Sequence, residues 1–152
     1  MNTTAQLAKH IKELYFGDNW TAANLKKHLS DITWQQATQK VADLNTIVVL
    51  VYHINYYVIA ITGVLQGKPL EAKDKYSFDA PEITNEEDWQ QMITQVLESG
   101  EQLANLVEEL PDELLPTDFT DSKYGSYHRN ILGFIEHTHY HLGQIALLKK
   151  LV

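Results

Sequence analysis

The sequence predicts an all-α protein, a four-helix bundle folded as a single domain. Three observations carry that reading. Apolar residues recur at three- and four-residue spacing over long stretches, clusters of glycine and proline separate those stretches, and no segment alternates convincingly with the period of a strand. At 152 residues the chain is long enough to bury one good core, so residues 1–152 read as one domain.

The first long helix is expected over 3–15, with Leu7, Ile11 and Leu14 on one face and Gly17, Asp18 and Asn19 ending it. A short helical turn follows at 22–29. The second long helix is expected to run unbroken over 33–66: Thr33 and Gln36 have capping-box spacing, and Gly67, Lys68 and Pro69 stop it. Apolar residues cover nearly all its faces between Ile47 and Ile61, which marks it as the most buried helix.

Residues 67–83 carry turn residues and the aromatics Tyr76 and Phe78 with no helical period, and that aromatic content points to a packed crossover. The third helix is expected from Asn85, where Thr84 and Glu87 have capping-box spacing and acids fill the first turn. Its core stripe is Trp89, Ile93, Val96, Leu103, Leu106, Val107 and Leu110, and Pro111 closes it. A second irregular stretch, 111–125, leads to the fourth helix at 126–151. Trp20, Trp34 and Trp89 read as core and cap residues.

Charge and composition narrow the function. A net charge of −8 and a single arginine, Arg129, speak against nucleic-acid binding, which needs a basic footprint. The chain has no cysteine, which excludes disulfides, a catalytic thiol and thiolate ligands, so any metal must be held by nitrogen and oxygen. The first residues show no basic segment leading into an apolar one, and the apolar run from Ile47 is soon interrupted by His53 and Asn55. A cytoplasmic protein without membrane spans is expected.

Three histidines stand out. Four residues of α-helix advance about 6 Å and turn about 40° past a full circle, so His137 and His141 share one face of the fourth helix. Asn130, Gly133, Gln144 and Leu148 share it too. An inward polar stripe is expensive unless each group finds a partner, and a metal would satisfy two of them. Gly133, one turn before His137, leaves room either for a ligand or for close helix packing. His53 alone reads as a hydrogen-bonded core histidine, and an isolated pair of histidines four apart is common on surfaces. Together the three favour a metal centre, because clustered core histidines are hard to explain as packing.

Other histidines fit less well. His139 points about 160° away from both His137 and His141. His128 is nearly in phase with His137 and is expected to line the mouth of a pocket; His10 and His28 have no metal spacing. Glu136 precedes the pair and so does not make the zinc-protease pattern of His-Glu-x-x-His. Tyr57, Asn130 and Gln144 are candidates for supporting the ligands or orienting a substrate.

The stretch 135–145, IEHTHYHLGQI, preceded by YHINYY at 52–57, resembles the DinB-like superfamily over essentially the whole chain. Residues 73–78, KDKYSF, and 123–125, KYG, look like a subgroup of small members. The resemblance implies an up-up-down-down bundle with a long crossover between helices 2 and 3, often a homodimer. It further implies a divalent metal, usually zinc or nickel, with His53 matching the helix-2 ligand and His137 and His141 the helix-4 pair. Relatives of this kind include thiol S-transferases and a mycothiol-dependent isomerase. The expected function is therefore a metal-dependent enzyme, thiol S-transferase or hydrolase-like, that activates a low-molecular-weight thiol or water toward a small-molecule electrophile. A non-catalytic, metal-stabilised dimeric bundle or small-ligand-binding protein is the alternative.

Overall fold

The computed structural model describes residues 2–152, and among them every named element is helical. In chain order they are α1 (Thr3–Phe16), α2 (Leu25–Leu29), α3 (Trp34–Thr38), α4 (Ile47–Leu65), α5 (Glu86–Glu109) and α6 (Tyr127–Leu148), with short 3₁₀ turns in the connections. Each start has a local cause. Side-chain oxygens of Asn2, Asn24, Thr33, Thr46, Asn85 and Ser126 accept backbone N–H bonds from the first turns they precede.

The expected helix over 33–66 is two helices. Thr33 and Gln36 do form the capping box, but α3 ends at Thr38, and residues 39–46 turn the chain before α4 begins. Ala42 takes a φ of 47° there, and the Thr46 hydroxyl caps a fresh N-terminus. At the other end of α4 the chain stops as expected. Gly67, at φ 80°, donates to Val64 O while Lys68 N donates to Gly63 O, the paired bonds of a Schellman motif.

Two other boundaries shift. Asn85, not Thr84, caps α5, and the Asp88 carboxylate accepts from the Thr84 amide and hydroxyl, so Glu87 plays no capping part. The last α-helical residue is Leu148, short of the expected 151.

The long helices form a ring of neighbours: α1 packs on α5, α5 on α4, α4 on α6, and α6 on α1. Their shared core holds Ile11, Leu14, Ile54, Leu103, Leu142 and Ile145, all essentially inaccessible to solvent. Trp89 is fully buried and its indole N–H donates to Ile32 O at 2.7 Å, while Trp34 packs at the core's edge. Trp20 is fully exposed, contrary to the expected core or cap role. It sits in a turn held by Asn19, whose amide donates to the carbonyls of Glu13 and Ala23, so the indole is turned outward by the turn that carries it.

Among the described residues α4 alone is long and apolar enough to cross a membrane, by length and composition, with 61% of that stretch buried inside the molecule. A core helix between two others passes the same test, and α4 lies between α5 and α6.

Candidate metal centre

His53 sits in the middle of α4, His137 and His141 one turn apart on α6, and the packing of these two helices brings all three rings together. His53 and His141 are buried and His137 is half-buried. The Nε2 atom of His137 lies 3.0 Å from Nε2 of His53 and 3.0 Å from Nε2 of His141, and one nitrogen from each ring falls within 4.8 Å of the others.

The far side of two rings fixes which nitrogens carry hydrogen. The Ser77 hydroxyl donates to Asp74 O at 2.7 Å, so its oxygen can only accept from His53 Nδ1, 3.0 Å away, and Ser77 O offers a second acceptor at 3.3 Å. Gln144 Nε2 donates to the Tyr140 hydroxyl at 3.3 Å, which leaves Oε1 to accept from His141 Nδ1 at 2.6 Å. With Nδ1 as donor in both neutral rings, their Nε2 lone pairs point inward. A single proton on His137 cannot satisfy both, whereas one cation can engage all three nitrogens. The donor set therefore fits a divalent transition metal.

Electrostatics agree. Burial first, then the neighbouring His141 and His53, pushes the His137 imidazole down to about 4. Burial, then His141, lowers His53, and burial lowers His141 against the pull of Gln144. All three are neutral at pH 7, which is the ligating form.

The crossover supplies the remaining wall, and the sequence reading gave these residues no role in the site. Phe78 stacks on His53 with ring centroids 4.0 Å apart and planes 14° apart. Lys73 is clasped by Tyr56, whose hydroxyl donates to its carbonyl at 3.0 Å and accepts from its amide at 2.8 Å. Tyr57 stands edge-on to His53 and His137 and donates its hydroxyl to Asp74 at 2.6 Å. The aromatic content of the crossover was the signal that it packs; nothing in it named a partner.

Above the triad opens a cavity of about 760 Å³. Its walls include Ala60, Ile61, Leu70 and Phe134 on the apolar side and Tyr57, Asp74 and Arg129 on the polar side.

The expected supporting residues divide. Tyr57 lines the cavity, while Gln144 lies outside it and orients His141. Asn130 lines the cavity, but its amide donates to Tyr124 O and Ser126 O, both at 2.9 Å, and so ties down the turn entering α6. Gly133 lines the cavity, and the room it leaves is taken on one side by Arg129, not by a neighbouring helix: a Cβ there would come 3.0 Å from Arg129 Nη1. His128 does not line this mouth; it faces a separate surface cavity with His10 and Trp20. His139 sets its ring against His10, 5.9 Å between centroids, away from the triad.

Fold and site together define an all-helical protein with an inward group of three histidines able to hold a metal ion. A sequence model of the DinB superfamily matches residues 18–145, and the chain belongs to that superfamily. No curated protein and no solved structure matches it.

Proposed function

We propose that the chain is a metal-dependent enzyme. In this reading His53, His137 and His141 hold one divalent transition metal, zinc or nickel, and an exogenous low-molecular-weight thiol or water is transferred to a small-molecule electrophile. The observation that carries it is the convergence of three Nε2 atoms at the floor of an open cavity of about 760 Å³. Three protein nitrogens leave a coordination position free, whereas a purely structural centre is closed by a fourth ligand. A bound divalent metal lowers the pKa of a thiol or water and so supplies the nucleophile.

The chain's own groups do the rest. Ser77 and Gln144 hold the tautomers of His53 and His141. The Tyr57 hydroxyl and the Asp74 carboxylate offer a donor and an acceptor at the wall for orienting a substrate. Ala60, Ile61, Leu70 and Phe134 surround the electrophile with apolar surface and exclude water. Having no cysteine, the protein must receive any thiol as a cosubstrate. Membership of the superfamily supports an up-up-down-down order of the long helices and a homodimer, and the cytoplasmic location expected from the sequence belongs to the same reading.

Elemental analysis of untagged protein should find about one metal per chain, and His141→Ala should abolish it. A transfer screen with several low-molecular-weight thiols and electrophiles should find turnover that is lost on chelation. Activity that survives metal removal refutes the mechanism, and stoichiometric metal without turnover points to the non-catalytic bundle.

A further inference from the structure

Arg129 is the one arginine of the chain, and it lies on the wall of the cavity above the histidines. Gly133 makes room for its head. A Cβ at Gly133 would come 3.0 Å from Nη1 and 3.7 Å from Cζ, so the head would have to shift, whereas one at Gly125 would only touch the stem, 3.7 Å from Cγ. The guanidinium therefore lies along the helix in the space that Gly133 leaves open, one turn from His137, or about 6 Å along the axis. Its partner is Glu136, whose Oε2 accepts from Nη1 at 3.3 Å, and with both side chains about two-thirds exposed this is a weak, screened pair.

We infer that Arg129 anchors a carboxylate on a small amphipathic ligand whose apolar body fills the cavity and whose other end sits at the three histidines. The inference rests on the reading of those histidines as an open metal centre. The planar fork of a guanidinium matches a carboxylate bidentately, and a single cation suits a monoanion. Apart from the histidines, Arg129 is the cavity's sole basic side chain among the described residues, while Asp74 lines the same cavity and Glu136 stands beside it. A phosphate dianion would meet too little positive charge. The apolar wall of Ala60, Ile61, Leu70 and Phe134 lies ready for a hydrocarbon spacer.

The test uses zinc-loaded protein titrated calorimetrically with mercaptohexanoate and with mercaptohexanol, which share thiol and spacer and differ in the carboxylate. The acid should bind about tenfold more tightly, as one charge-assisted pair at a partly exposed site provides. Arg129→Gln should erase the difference with zinc content unchanged, and Arg129→Lys should restore part of it. Gly133→Ala, which crowds Nη1, should reduce the preference without lowering thermal stability. Equal binding of the two probes, or a preference that survives Arg129→Gln, overturns the inference. Failure of the metal reading is seen separately, as protein that takes up no zinc and whose cobalt-treated form gains no sulfur-ligated absorption when mercaptohexanol is added. The preference for hexanoate over hexanol is then read on the metal-free chain, with the same Arg129→Gln control deciding it.

Discussion

Gln144 accepts the Nδ1 hydrogen of His141 at 2.6 Å and so sets that ring's tautomer. Gln144→Leu should keep the fold yet weaken metal binding about 10- to 100-fold in a chelator competition, the usual effect of losing a partner behind a ligating imidazole. An unchanged affinity would place Gln144 outside the centre. The histidine pair was legible because helical spacing alone stacks His137 over His141 and fixes the face on which Gln144 follows, whereas His53 joined them through the joint pattern and the family resemblance. Ser77, Phe78 and Asp74 were not, because residues of an irregular crossover have no period that reports what they touch. Arg129 was legible as a lone charge but not as a cavity residue, since its direction depends on the gap at Gly133.

At the scale of elements, the contact between α1 and α5 is set by Gly100 lying under the buried Tyr15 ring. A Cβ at Gly100 would come 2.2 Å from the ring edge, so Gly100→Ala should destabilise by about 1–3 kcal/mol in denaturant unfolding despite alanine's better helix propensity. The Tyr15 hydroxyl is buried with no hydrogen-bond partner among the described residues, and burial drives its pKa up, so Tyr15→Phe should raise stability by about 1 kcal/mol. A loss on Tyr15→Phe would mean the hydroxyl has a partner in solution. Thr46→Ala should cost about 1 kcal/mol, since Thr46 starts α4. That break shows where reading by period fails. The apolar pattern from 33 to 66 continues through residues 39–46, while the caps that divide it are local hydrogen bonds, visible in sequence only as a threonine ahead of an apolar run.

For the molecule as a whole, the lowered histidines make the metal-free chain sensitive to acid. His137 takes up its proton near 6.5 when unfolded and at about 4 when folded, so as pH falls the unfolded state binds the proton first. The histidines' contribution to stability should be level above pH 6.5 and fall steadily between 6.5 and 4, with His53 and His141 shifted the same way. His137→Gln should flatten that slope in thermal melts at a series of pH values. Metal should raise the melting temperature, by the equivalent of about 2.7 kcal/mol at a hundred times its dissociation constant, and His141→Ala should remove the rise. The division of labour around His53 has a further consequence. The three imidazoles stand on helices whose cores leave little freedom to change, but the serine and phenylalanine that aim and cover one of them come from a connecting loop. Loops accept insertions and replacements that helices do not. Replacements in the crossover alone can therefore re-aim or uncover His53 while all three histidines stay in place.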